Sequence, residues 1–234
     1  MKTIGLIGGM SWESTALYYR QINEGVRERL GGLHSAKIAM VSVDFEPMER
    51  LQRENRWEEA GEELAKAARQ VEAAGADFIV LCTNTMHKVA DAIEGSVDIP
   101  LLHIADATAE AIQAAGMHTI GLLGTRFTME EDFYKGRLEE KQRLKVLVPE
   151  EAEREAVHEI IYNELVRGVV REESRRKYLD IIDGLRARGA QGVIEGCTEI
   201  VMLVQQEHTT VPLFDTTAIH ARAAVEMAME IYCE

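Results

Sequence analysis

Basic residues are in short supply: 26 Lys and Arg stand against 40 Asp and Glu, a formal charge of −14 at pH 7 with a pI near 5.0. That balance excludes nucleic acid and anionic membrane surfaces as expected partners. No apolar stretch approaches the ~20 residues a membrane-spanning helix needs. Met1-Lys2-Thr3-Ile4-Gly5 runs into a strand pattern without a secretory signal, so a cytoplasmic location is expected. The three cysteines are an odd count without framework spacing, which argues against a disulfide scaffold and for reduced thiols. Cys233, next to the end of a helical tail, is expected to be a bystander. Neither Cys-x-x-Cys nor His-Glu-x-x-His occurs, so no metal site is expected. Gly5-x-x-Gly8-Gly9 lacks the order of the dinucleotide fingerprint and no Gly-Lys-Ser/Thr ending marks a P-loop, which also removes the reason to read Asp44 as a ribose-binding acid.

What is present is a duplication. Asp77-Phe78-Ile79-Val80-Leu81-Cys82-Thr83-Asn84-Thr85 and Gly192-Val193-Ile194-Glu195-Gly196-Cys197-Thr198-Glu199 each read as a buried strand, then Cys-Thr, then an amide or carboxylate side chain. The cysteines are 115 residues apart (197 − 82). Thr3-Ile4-Gly5-Leu6-Ile7-Gly8-Gly9 matches Thr119-Ile120-Gly121-Leu122-Leu123-Gly124-Thr125 at an offset of 116, and Ile99-Pro100-Leu101-Leu102 matches Val211-Pro212-Leu213-Phe214 at 112. Three landmarks in one order at nearly one offset indicate a repeated α/β unit. The fold class expected is α/β, with two pseudosymmetric doubly wound domains of mainly parallel sheets and ligands lying beyond the carboxyl ends of the strands. With 234 residues and 46% hydrophobic content, each copy can bury a core. The domains are placed at 1–103 plus 214–234 and at 104–213, the last helix returning to the first.

In chain order, strands are expected at Thr3–Ile7, Ala36–Val43, Phe78–Leu81, Ile99–Ile104, Thr119–Leu123, Leu144–Val148, Gln191–Ile194 and Val211–Phe214. Helices are expected near Trp12–Leu30, Trp57–Ala74, Asp106–Ala115, Glu151–Arg167, Glu172–Arg188 and Thr217–Tyr232, with a charged, exposed one over Glu130–Glu140. Asp44–Gln52 reads as a loop able to fold over a site.

A lone cysteine after a buried strand is ordinarily a small core residue. Two in equivalent positions, each followed by Thr, point to a paired function. Thr83, Asn84, Thr85, Thr198 and Glu199 are polar enough to cap following helices, whose N-termini would bind a small carboxylate and lower a thiol's pKa. A thiol hydrolase would leave one cysteine idle. Inverting a stereocentre uses both: one thiolate removes a proton from one face of a carbon and a thiol on the other face returns one.

Gly8-Gly9-Met10-Ser11, Leu81-Cys82-Thr83-Asn84-Thr85-Met86-His87, Leu123-Gly124-Thr125-Arg126-Phe127-Thr128-Met129 and Glu195-Gly196-Cys197-Thr198-Glu199-Ile200 together resemble the aspartate/glutamate racemase family, in its bacterial broad-specificity amino acid racemase branch. The resemblance spans the whole chain. It implies two pseudosymmetric α/β domains with the active site in the cleft between them, catalysis without pyridoxal phosphate, metal or other cofactor, an amino acid as the small-molecule substrate, and a homodimer. Carried over by motif, Cys82 and Cys197 become the two acid/base residues, and Met10, Gln52, Thr83, Asn84, Thr85, Thr125, Thr198 and Glu199 line the substrate, with Ser11 and Thr128 as further binding candidates. Relatives specific for glutamate carry Asp-Ser in the first loop and His after the second Cys-Thr; Met10-Ser11 and Glu199 stand here instead, and Ala156 and His158 occupy a helix where acidic-substrate relatives often place a basic residue.

Glu199 could orient Cys197, meet a substrate ammonium, or be a plain acid at a helix N-terminus. Glu195 needs a partner or solvent, for which Arg126 or a histidine is the candidate. His87, His103 and His220 read as structural. Two rivals stay open: a decarboxylase or cis-trans isomerase of a small dicarboxylate on the same fold, and a binding protein without turnover. The racemase reading expects both sulfurs to flank one shared cavity, neither packed into an interior.

Overall fold

The computed structural model describes residues 1–230, so Cys233 and the end of the expected C-terminal helix lie outside the described residues. The chain divides into two compact units, Met1–Ile104 with His220 onward, and Ala105–Ile219.

The first unit runs β1 (Ile4–Gly8), α1 (Trp12–Leu30), β2 (Ile38–Ser42), α2 (Phe45–Arg53), α3 (Trp57–Ala73), β3 (Phe78–Leu81), a 3-10 turn at Thr85–Val89, α4 (Ala90–Glu94) and β4 (Leu101–Leu102). The second takes in nearly all of α5 (Ile104–Ala114), then β5 (Thr119–Gly124), α6 (Arg126–Glu130), α7 (Lys135–Glu140), β6 (Lys145–Leu147), α8 (Glu151–Asn163), α9 (Glu172–Ala187), β7 (Gly192–Gly196), α10 (Ile200–Leu203), β8 (Leu213–Asp215) and the start of α11 (Thr216–Met229). Each sheet has four strands, in the orders β2-β1-β3-β4 and β6-β5-β7-β8, and every pairing is parallel. The same order in both sheets is the structural counterpart of the repeated landmarks.

Alternation along the strands sorts the first unit into layers. Ile4, Leu6, Phe78, Val80 and Cys82 pack with Tyr18, Ile22 and Val26 of α1 and Ala221, Ala224 and Val225 of α11. Ile7, Ile79 and Leu81 face the other way, onto Leu64, Ala68 and Val71 of α3 and Met48 and Leu51 of α2. Both faces are covered, as all-parallel sheets require, which is why these strands read as continuous apolar runs. In the second unit Gly121 leaves room for Val193 and Leu185: a Cβ there would stand 2.9 Å from the first and 3.0 Å from the second.

Four local expectations need correction. Asp44–Gln52 is not a loop: Asp44 caps α2, its side chain accepting from the Glu46 N–H at 3.4 Å. Met48, Leu51 and Gln52 form the buried face of α2, and Pro47 sits in the first turn, where a missing N–H costs no helical bond. The expected helix over 130–140 is broken in two, because the chain turns extended at Glu131 and buries Tyr134 completely. Only Leu101 and Leu102 of the 99–104 segment pair with β3; Pro100 contributes a carbonyl to Ile79 at 2.8 Å but has no N–H, and Ile104 already opens α5. The second crossing falls beyond residue 214, because Leu213–Asp215 pairs with β7 in the second sheet.

Candidate active site

In the first unit, β1 and β3 are neighbours with Ile7 opposite Leu81, so the loop after β1 and the turn after β3 emerge at one carboxyl edge. The Cys82 N–H donates to the Ile7 carbonyl at 2.9 Å, and the Thr83 N–H reaches back to Leu81 at 2.9 Å, making Cys82 the middle of a three-residue turn. Gly9 has φ +95°, and a Cβ there would sit 2.1 Å from the Val43 carbonyl oxygen. Only glycine lets the loop pass so close to the end of β2. Met10 then packs with Met48, Leu51 and Met86. Ser11 caps α1, its side chain accepting from the Ser14 N–H at 3.3 Å. Gln52 Nε2 donates to Met86 Sδ at 2.9 Å, which brings α2 against the segment following Cys82. Met10, Ser11, Gln52, Cys82, Thr83, Asn84 and Thr85 are all buried.

In the second unit, Gly124 and Gly196 pair at the ends of β5 and β7, and a Cβ on Gly124 would stand 2.9 Å from the Gly196 carbonyl. The Thr125 hydroxyl caps α6 by accepting from the Thr128 N–H at 3.4 Å, and the two hydroxyls lie 3.2 Å apart. Cys197 Sγ donates to Glu199 Oε2 at 3.0 Å, and Thr198 Oγ1 donates to the same oxygen at 2.7 Å. Thr125, Thr128, Cys197, Thr198 and Glu199 are buried as well. One Glu199 oxygen thus accepts from both Cys197 and Thr198, and the side chain makes no cap to α10.

The expected depression of the thiol pKa by following helices is not found. Thr85–Val89 is a 3-10 turn and α10 has four residues, and neither is capped by a side chain. Burial pushes both thiols well above their ordinary range, and the Glu199 carboxylate pushes Cys197 up further. The expectation that neither sulfur is packed away also fails at Cys82. It has no exposed surface and belongs to the apolar cluster on the α1 and α11 side, with its sulfur donating to the Val80 carbonyl at 3.8 Å. The alternation of β3 puts position 82 on the face of Phe78 and Val80.

Among the described residues no cation pairs with Glu195. In register it stands beside Asp215, and burial, then the Asp215 charge, raises its carboxyl to about 8, so it keeps its proton at neutral pH. Its Oε1 finds no partner among the described residues. Asp215 caps α11 at Thr217 (2.8 Å) and Ala218 (3.1 Å). Arg126 is on α6, exposed, with its backbone N–H donating to His158 Nδ1 at 3.2 Å. Burial and the Arg126 charge lower the His158 pKa, and Arg154 is engaged by Glu130 at 2.7 Å and by the Pro149 carbonyl.

Tyr178 of α9 escapes sequence reading. Its hydroxyl is raised by burial and by the nearby Cys197 and Glu164, and donates to the Val157 carbonyl at 3.1 Å. Nothing in the sequence distinguishes it from another apolar-face position of an amphipathic helix. Among the described residues no group of three or more His, Cys, Asp or Glu could hold a metal ion, and no helix is long and apolar enough to cross a membrane.

Two parallel α/β units of one strand order, each carrying a Cys-Thr turn at the carboxyl end of the third strand, define a duplicated α/β enzyme of the racemase type. The sequence model of the Asp/Glu/hydantoin racemases matches residues 7–224, and the chain belongs to that family of isomerases. It is similar to a crystal structure from Yersinia pestis provisionally described as an Asp/Glu racemase, at 56% identity over 98% of this chain and 100% of that one, with a TM-score of 0.93. An aspartate racemase homologue from Pyrococcus horikoshii is 37% identical over 97% of this chain and 99% of its own, with a TM-score of 0.84. The broad specificity amino-acid racemase RacX of Bacillus subtilis is 21% identical over 95% of this chain and 96% of its length.

Proposed function

We propose that the protein racemises a free α-amino acid, with Cys82 and Cys197 as the two acid/base groups. The observation that carries this reading is the repetition of a Cys-Thr turn after the equivalent strand of both sheets. A thiolate takes the α-proton and becomes a thiol; the electron pair left on carbon is delocalised into the α-carboxylate; the second thiol gives its proton to the opposite face and becomes a thiolate. Thr83, Asn84, Thr85, Thr125 and Thr198 supply donors for the carboxylate, with Met10, Ser11, Gln52 and Thr128 shaping the space around them. Glu199 takes the proton Cys197 must lose before it can act as base, because the thiol already points at its carboxylate. A substrate ammonium offsets the negative charge that burial resists.

The substrate side chain need not be acidic. Burial and the Arg126 charge lower the His158 pKa, and Arg154 is committed to Glu130 and Pro149. The likeness to a broad-specificity racemase supports the same breadth. Assembly as a homodimer belongs to the proposal and is read by sedimentation equilibrium.

The test is a panel of single-enantiomer amino acids incubated in heavy water, followed by loss of the α-proton signal and chiral chromatography. Incorporation with inversion is expected, and it stops in Cys82→Ser and in Cys197→Ser. No deuterium at any α-carbon refutes the reading. The complete burial of Cys82 favours one alternative, in which it is a packing residue and Cys197 alone does acid–base work; inversion at the wild-type rate by Cys82→Ser would establish it.

A further inference from the structure

Three histidines lie together in the first unit without forming a metal site, and the hydrogen bonds of two of them fix their tautomers. His87 Nδ1 is 2.7 Å from the Thr83 carbonyl oxygen, and the Ile104 N–H points at His87 Nε2 from 3.3 Å. A carbonyl oxygen only accepts and an amide N–H only donates, so His87 is neutral with its proton on Nδ1. His220 carries the opposite tautomer: Nε2–H donates to the Leu102 carbonyl at 2.8 Å, and Nδ1 accepts from the Tyr18 hydroxyl at 2.9 Å. The ring of His103 packs on His87 with centroids 4.5 Å apart.

The two imidazoles grip the chain on either side of residue 103. His220, from α11, holds Leu102, and His87 holds Ile104. Tyr18, from α1, braces His220. Ile104 is therefore a fixed backbone point, and His87 joins it to the carbonyl of the residue directly after Cys82. In the other sequence half the equivalent position, 87 + 115, is Met202, which is exposed. There the turn is held through position 84 + 115, Glu199, which binds Cys197 and Thr198 by their own side chains. Asn84 stands in the Glu199 position beside Cys82, whose sulfur donates to the Val80 carbonyl and, among the described residues, to no carboxylate.

We infer that His87 is the positioning residue of the Cys82 half-site, its neutral imidazole tying the Thr83 carbonyl to the Ile104 amide so that the three-residue turn centred on Cys82 keeps one geometry. The inference deepens the racemase reading and rests on it for the role of Cys82. Two near-isosteric variants separate the two bonds of the ring. In His87→Asn the side-chain NH2 takes the place of Nδ1–H and can still donate to Thr83; in His87→Gln the amide reaches the place of Nε2 and the bond to Thr83 is lost.

His87→Gln is expected to lower kcat on the order of 10²-fold and to raise KM as well, because the turn it loosens carries both the thiol and the Thr83 donor. His87→Asn is expected to recover kcat to within about tenfold of wild type. In parallel, Cys82 and Cys197 are alkylated with iodoacetamide in the unliganded protein and quantified peptide by peptide. His87→Gln should change the rate at Cys82 and leave Cys197 as in wild type. Equal kcat in the two variants and wild type, or alkylation rates that move together at both cysteines, overturns the proposal. The alkylation result does not depend on turnover, so a wild-type protein that exchanges no α-proton refutes the racemase reading while the positioning of Cys82 is still decided. If both variants fail to fold, the imidazole nitrogen NMR of the wild-type protein decides: a neutral His87 protonated on Nδ1 supports the tether, and protonation on Nε2 ends it.

Discussion

Replacing Glu195 by Gln should change how stability depends on pH more than it changes stability at any single acidic pH. The carboxyl lies on β7 next to Asp215 on β8, and burial raises it from an ordinary 4.5 to about 8. The folded state therefore holds a proton that the unfolded chain has already released. Stability from this group is complete below about 4.5, falls by about 1.4 kcal/mol per pH unit as pH rises toward 8, and levels off above it. Over the full window the loss is on the order of 5 kcal/mol, a large share of the ~5–15 kcal/mol that holds a typical domain folded. Glutamine keeps the shape of the protonated acid and cannot ionise, so Glu195→Gln should gain on wild type steadily from pH 5 to pH 8. Asp215 is raised in the same direction, so part of the pH dependence will persist in the variant. Urea unfolding at half-unit pH steps, with the slope against denaturant held common, gives the two curves. Parallel curves between pH 5 and pH 9 would refute the placement of a proton on Glu195.

Glu199→Gln should move two readouts in opposite directions. Removing the carboxylate charge lets Cys197 ionise at lower pH and react faster with iodoacetamide, while loss of the proton acceptor lowers kcat on the order of 10²-fold. The pH–rate profile should be bell-shaped with its rising limb displaced to the alkaline side, since burial pushes both thiols up; a flat rate from pH 6 to pH 10 contradicts two titrating thiols. Gly9→Ala should destabilise the fold by about 2 kcal/mol or more, through positive φ and the approach to Val43, as thermal melts would show.

Much of the architecture was legible because parallel strands buried on both faces write themselves as unbroken apolar runs, as in Phe78-Ile79-Val80-Leu81, and because one order of elements occurs twice. The helix over Phe45–Arg53 was not legible: Pro47 reads as a breaker unless the cap at Asp44 is known to place it in the first turn. The break at Glu131 depends on burying Tyr134, a tertiary event. At the candidate site, the placement of both cysteines directly after equivalent strands was readable by position. The thiol setting was not, since it depends on depth, and sequence spacing does not report depth. Asp215 is as invisible as a neighbour of Glu195, because strand register alone brings them side by side.

The unlike residues at positions 84 and 199, an amide and a carboxylate in otherwise repeated turns, have a consequence for kinetics. Enantiomers are equal in free energy, so kcat/KM for the two directions of a racemase must be identical whatever the walls are made of. Turnover number and Michaelis constant carry no such restriction separately. Under the proposed two-thiol mechanism, proton-handling stations that differ in charge leave the enzyme free to hold one hand of its substrate more tightly and turn it over more slowly, by the same factor. Progress curves begun from each pure enantiomer would then differ at saturation and converge at low substrate.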